Sequence, residues 1–168
     1  LWRENRINAI HEGTNGIQAM DLLGRKLLGD GGKAFGLLSK RVEATLAAAR
    51  ADAALAPLAE TLATRWAALG PAVVKAGKVA ATDLELALAN AYLLLDAMGH
   101  AVVAWLWLDQ ALAARQALAA DDVRRAMLEG KLAAARYFID WELPTKDAVL
   151  ARFASLDPLC RDLDPAVL

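Results

Sequence analysis

Cysteine is nearly missing. Cys160 stands alone, so no disulfide can form within the chain, and a reducing cytoplasm is the expected setting. Charge of a prevailing sign is missing too, because 19 basic residues meet 20 acidic ones for a formal net charge of −1. That sum offers nothing to attract a nucleic acid or an anionic membrane surface. Long uncharged runs are lacking as well. The most apolar region, Leu84 to Leu108, is broken by Glu85, Asp96 and His100 and never reaches the ~18 uncharged residues that a membrane span needs. Residues 1–20 contain Arg3, Glu4, Arg6 and Glu12 and no apolar core, so no secretory leader is read there. The chain opens on Leu1 and is expected to be a piece of a longer polypeptide. Nowhere do apolar and polar residues alternate as they do in a half-buried strand.

What is present is helical packing material. Hydrophobic residues make up 57% of 168 positions, with alanine and leucine prominent, enough for a sizeable core. The spacing predicts a first helix over 15–28, with Ile17, Met20, Leu23 and Leu27 on one face. Gly29-Asp30-Gly31-Gly32 breaks it, and Gly29 is expected at the C-cap. That cluster sets a boundary between segment 1–31 and an extension, 32–168.

A second helix is expected from Lys33 to Leu55, with Phe35, Leu38, Val42 and Ala49 inward. A third carries the stripe Leu58, Leu62, Trp66, Leu69, Val73, Ala76 and Ala80, whose phase survives Gly70-Pro71 and so argues for a kink rather than a stop. Thr82 with Glu85 has capping-box spacing and opens a helix reaching about Leu118, apolar nearly all round and therefore central. Asp121-Asp122 is expected to cap a fifth helix that ends before Pro144. Its inward stripe reads Val123, Met127, Gly130, Ala134, Tyr137 and Trp141, with Gly130 allowing a close crossing. A short helix over about 146–155 and a fraying tail follow. The fold class is all-α, an antiparallel helical bundle around a long central helix.

Chemistry concentrates near the start. In Ile10-His11-Glu12-Gly13-Thr14-Asn15-Gly16-Ile17-Gln18 a carboxylate, a glycine and a threonine lead into the first helix. Thr14 is a natural N-cap. Gly13 permits backbone angles closed to other residues and a close approach by another group. Glu12 falls at the positive end of a helix dipole. The residues by themselves give a poised carboxylate.

These words resemble the C-terminal catalytic signature of the FAD-dependent acyl-CoA dehydrogenases, usually Ile-Tyr-Glu-Gly-Thr, with Arg3 and Arg6 matching the basic residues just upstream. Gln18-Ala19-Met20-Asp21-Leu22-Leu23-Gly24-Arg25-Lys26 is similar to the large, C-terminally extended bacterial branch, which includes the 3-methylmercaptopropionyl-CoA dehydrogenases. Ala104-Trp105-Leu106-Trp107-Leu108 and Gly130-Lys131-Leu132-Ala133-Ala134-Ala135-Arg136-Tyr137-Phe138 also look like the extension of that branch. The resemblance implies that Glu12 removes the α-proton of an acyl-CoA thioester while a hydride leaves the β-carbon for FAD. It implies that Gly13 lines the thioester site and that Thr14, Asn15 and Gly16 contact the cofactor, Gly16 through its backbone. The FAD would be bound mainly by parts absent from this chain. An electron-transferring flavoprotein as acceptor and a homo-oligomeric assembly are further implications. His11 departs from the usual tyrosine and is read as a structural neighbour.

Other groups have plainer readings. Asp96 and His100, four apart, form a polar spot within a bundle. No pair of Glu-x-x-His repeats supports a metal site. The tryptophans at 66, 105, 107 and 141 have core or interface spacing. Cys160 has no histidine near it in sequence to activate it. A function of another class stays open: a non-catalytic helical oligomerisation or interaction module.

Overall fold

A computed structural model describes residue 10 and residues 13–120 and 123–167. Among these described residues every regular element is a helix. Helix α1 (Asn15–Met20) runs into a wider π-helical stretch, Asp21–Leu28. Then come α2 (Lys33–Arg50), α3 (Ala56–Ala80), α4 (Leu84–Ala89) and α5 (Ala91–Ala119). Helix α6 (Arg125–Tyr137) continues through a π turn (Phe138–Glu142) and a 3-10 turn (Leu143–Lys146) into α7 (Asp147–Ser155). The single-turn α8 (Leu159–Asp162) and a last 3-10 turn (Pro165–Val167) complete the described chain. The expected antiparallel bundle is present.

Its axis is α5. At ~1.5 Å per residue this helix is roughly 43 Å long, and α1, α2, α3, α6 and α7 all pack on it. Ala91, Leu94, Met98, Ala101, Ala104, Leu108 and Ala111 are buried along it. Such small residues let neighbouring backbones come close. By length and composition α5 would also be apolar enough to cross a membrane; here the bundle uses its apolar surface. The stripe expected on α3 is buried from Leu58 to Ala76. Pro71 sits inside that helix without ending it. The carbonyl of Ala67, which Pro71 cannot serve, belongs to an exposed residue that water can reach.

Several boundaries differ from the sequence reading. The expected 37-residue central helix is divided at Asn90, a buried residue whose Nδ2 donates to the Leu86 carbonyl (3.4 Å) and to the Asp157 carbonyl (3.0 Å). An asparagine side chain that serves backbone groups competes with the helix ladder. The same bond ties down the tail that was expected to fray, as does the ion pair of Arg161 with Asp83. The cap of α4 is Asp83 rather than Thr82: its carboxylate accepts from the Leu86 N–H at 2.9 Å. Helix α2 stops at Arg50, not Leu55, because Asp52 accepts from the Ala54 N–H (2.8 Å) and pairs with Arg115 (2.7 Å). The proposed caps Asp121 and Asp122 lie outside the described residues.

The largest correction concerns α6. The stripe expected to face inward faces water instead: Val123 and Met127 are exposed, Tyr137 is 56% and Trp141 71% exposed. The buried positions are Leu128, Ala135, Ile139 and Leu143, one residue out of phase. A π turn spends nearly one extra residue, so the register that suits Leu128 and Ala135 carries on to Ile139 and Leu143 and leaves Trp141 outside. Gly130 supports no close crossing, since a Cβ there would meet nothing within 4 Å.

Phe153, fully buried on α7, tests the core: Phe153→Ala should cost about 3–5 kcal/mol in urea unfolding. Acid sensitivity tests the cap. The Leu86 N–H, and after it Arg161, holds the Asp83 carboxyl below the usual carboxylate range. Its stabilising effect is therefore present above the unfolded value of ~3.9 and is lost as pH falls through the lower folded value. Asp83→Asn should melt below the wild type at neutral pH, with the gap closing in strong acid.

Candidate functional site

The residues expected to carry chemistry divide between the described chain and its margin. Glu12 and His11 lie outside the described residues. Gly13, Thr14, Asn15 and Gly16 form the exposed approach to α1. Gly13 has φ +77°, in the left-handed region where a side chain is strained, and the space around its Cα is open. Thr14 occupies the N-cap position, but its hydroxyl does not take the expected backbone N–H. It accepts instead from Gln18 Nε2 at 3.0 Å. Thr14 therefore gives no side-chain cap to the first-turn N–H groups. Asn15 and Gly16 open the helix, and a Cβ at Gly16 would meet nothing within 4 Å.

The platform behind this approach is set by a different face of α1 than the spacing suggested. Ile17 and Met20 are exposed, while Ala19, Leu23 and Leu27 are buried. The π-helical stretch produces this change, because its wider turns rotate the later residues relative to α-helical counting. Gly29 is the C-cap, as expected, with right-handed angles, φ −65° and ψ −24°; Gly31 and Gly32 supply the positive φ values. Glycine at 29 answers a close contact, since a Cβ would lie 2.6 Å from the Arg25 carbonyl oxygen. Asp21 and Arg25 pair along the outside, and that hydrogen bond lowers the pKa of Asp21. Beside them a shallow groove of about 460 Å³ is lined by Ile17, Gln18, Asp21, Leu22, Arg25 and Lys26. Against the bundle, Leu28 fills the space that a side chain at Gly77 of α3 would need, where a Cβ would sit 2.9 Å from Leu28 Cδ2.

Elsewhere, Asp96 binds both His100 Nδ1 (3.1 Å) and Lys146 (3.0 Å), with the His100 ring stacked on Phe138. This is the satisfied polar spot that was expected. Trp66 donates to Ser39, and Trp105 donates to Thr45 at 2.9 Å, so both have structural partners. Among the described residues no cluster of ligand-type side chains could hold a metal. One feature that sequence reasoning missed is a groove of about 500 Å³ between α3 and α7. Arg65 pairs with Asp147 there at 2.9 Å, and Lys75 donates to the Ala154 carbonyl. Its partners are separated by about eighty positions and leave no local pattern.

Two comparisons bear on this geometry. The family described as acetyl-CoA dehydrogenase C-terminal like matches residues 38–164, from within α2 to the last turns. The chain belongs to this family. The match covers the bundle that supports α1 and leaves out the Glu12-Gly13-Thr14 words. The chain is also 34% identical over 139 residues to a 3-methylmercaptopropionyl-CoA dehydrogenase of Ruegeria pomeroyi (strain ATCC 700808 / DSM 15171 / DSS-3). That alignment takes in 82% of this chain and 24% of the relative, so the chain spans about a quarter of that enzyme's length. For this acyl-CoA dehydrogenase C-terminal relative, the resemblance stated from the sequence is borne out.

The seating of α1 yields a paired test. Gly77→Val should lower stability by about 1–3 kcal/mol through overpacking against Leu28. Gly36→Ala, in open space on α2, should raise it by roughly 0.5–1 kcal/mol through helix propensity. Thermal unfolding of the two variants reads both signs.

Proposed function

We propose that this chain is the C-terminal part of an FAD-dependent acyl-CoA dehydrogenase. Segment 1–31 would carry the catalytic carboxylate, and 32–168 would be an all-α extension. The observation that carries the reading is the Glu12-Gly13-Thr14 signature leading into a helix that the Thr14 side chain leaves uncapped, in a chain of this family. Glu12 takes the α-proton of an acyl-CoA thioester onto its carboxylate, and the β-carbon gives up a hydride, leaving a trans-2-enoyl-CoA. The bound FAD supplies the hydride acceptor. The residues present fit such a neighbour: Gly13 bends the approach, and Gly16 offers no side chain in the way. Thr14 and Asn15 contribute polar contacts, and Gly13 lets the thioester come close to the main chain.

An α-proton of a thioester is too weakly acidic for a carboxylate in water. Burying Glu12 against an apolar acyl chain, in a site completed by the rest of the enzyme, would raise its pKa into the working range. An electron-transferring flavoprotein as acceptor, a homo-oligomeric state and a cytoplasmic setting belong to the same reading. The setting is supported by the lone, exposed, unpaired Cys160.

In the complete polypeptide, Glu12→Gln should retain flavin and lose roughly 10²–10⁴-fold in turnover; near-normal turnover would remove Glu12 from its role. The 168-residue chain by itself should purify without flavin absorbance.

A further inference from the structure

The groove between α3 and α7 has walls of one kind and ends of two. Its walls are Ala68, Pro71 and Ala72 of α3 with Leu150, Ala151 and Ala154 of α7. All six carry carbon side chains only; Ala72 is buried at the floor, and Pro71 has no N–H to offer. Two helices that present residues this small to each other leave a trough between them, here about 500 Å³, a size that suits a small molecule. A hydrogen-bonded bridge marks each end. At one, Arg65 gives Nη2 to Asp147 (2.9 Å) and Nη1 to the Thr61 carbonyl (3.1 Å), so opposite charges cancel. At the other, roughly 15 Å further along α3, Lys75 donates to the Ala154 carbonyl at 2.6 Å. An ammonium has donors to spare after one such bond. Among the described residues no carboxylate pairs with Lys75, and its side chain is exposed at the mouth of the trough.

We propose that this groove binds a carboxylate-headed aliphatic chain, a medium-chain fatty acid anion, with its tail along the alanine and leucine walls and its head on Lys75. Charge selects the head. One uncancelled cation at the end of an apolar trough calls for one negative charge. That end also lies at the C-terminus of α7 (Asp147–Ser155), the negative pole of the helix. A doubly charged phosphate is therefore received less well there than a carboxylate. Shape and polarity select the tail. Between the two ends the walls offer no side-chain hydrogen-bond partner, and the Thr64 hydroxyl at the cancelled end is already spent on the Glu60 carbonyl at 3.0 Å. A sugar or a peptide backbone laid against such walls would give up its water for nothing, whereas methylenes gain by leaving water. The inference does not rest on the dehydrogenase reading, because Glu12 and α1 take no part in it.

Isothermal titration of the 168-residue chain with decanoate checks the site, with acetate, decanol and decyl phosphate as comparisons. Decanoate should bind at a single site. Acetate, without a tail, and decanol, without a charge, should each bind at least about tenfold more weakly, and tighter binding of decyl phosphate would overturn the choice of head. Lys75→Met, which keeps the stem, should weaken decanoate roughly tenfold, and Lys75→Arg should restore most of the affinity. Ala151→Phe, on the exposed side of α7 where a ring can lie in the trough, should abolish binding while circular dichroism stays helical. Lys78→Met, a cation of α3 outside the groove, should change nothing. A wild type that takes up no decanoate would overturn the inference and leave the trough to a segment of a longer polypeptide. Uptake that ignores both Lys75→Met and Ala151→Phe would overturn it as non-specific adsorption. Amide hydrogen exchange gives an independent reading: decanoate should slow exchange on α3 and α7, and protection confined to α5 and α6 would refute the assignment.

Discussion

Close packing against the small residues of α5 is the constraint on which the rest of the molecule depends. Ala91, Ala101, Ala104 and Ala111 are essentially closed to water, and each occupies the width of a methyl group. Neighbouring helices therefore approach nearer than leucine would permit, and their larger side chains, among them Leu62, Leu69, Ile139 and Phe153, fill the remaining space. This division of labour, small residues in the middle and large ones around, explains how a chain so rich in alanine holds a core. It also explains why polar anchors lie at the margins of α5, where Asp96 meets Lys146 and Trp105 meets Thr45.

From that axis outward, the segment with the chemical signature is held along one face against α5, α2 and α3. Ala19, Leu23 and Leu27 bury one face of α1 and its π extension. Leu28 reaches into the gap opposite Gly77. What this seating leaves exposed is the entry to the helix, Gly13 to Gly16, with a positive φ at Gly13 and no cap from the Thr14 side chain.

The sequence made some of this legible and hid the rest for identifiable reasons. Helix α3 could be read because its apolar residues recur at three and four and its face is buried on that same period, and α5 because it is apolar nearly all round. The stripe Leu58 to Ala76 is the plainest case. The break at Asn90 escaped notice because it depends on a carbonyl 67 residues away, at Asp157. The end of α2 escaped because alanine gives no stop signal and the turn is made by the side chain of Asp52. On α6 two candidate stripes lay one residue apart, and spacing could not say which faced the core. Of the candidate site, the motif was legible as words. The failure of Thr14 to cap was not, since Gln18 claims its hydroxyl from one turn further on.

The wide turns of Asp21–Leu28 have a consequence of their own. Eight residues there fill a length of axis that α-helical winding would cover with fewer, so the segment acts as an angular spacer between the docked end at Leu28 and the free end at Thr14. Losing a single residue while the wide winding persists would turn everything upstream by about a quarter of a turn around the axis. The aim of the approach is therefore encoded in the number of residues between its anchor and its tip, whatever their chemical character. A family that kept this helix while varying its surface would still have to keep that count.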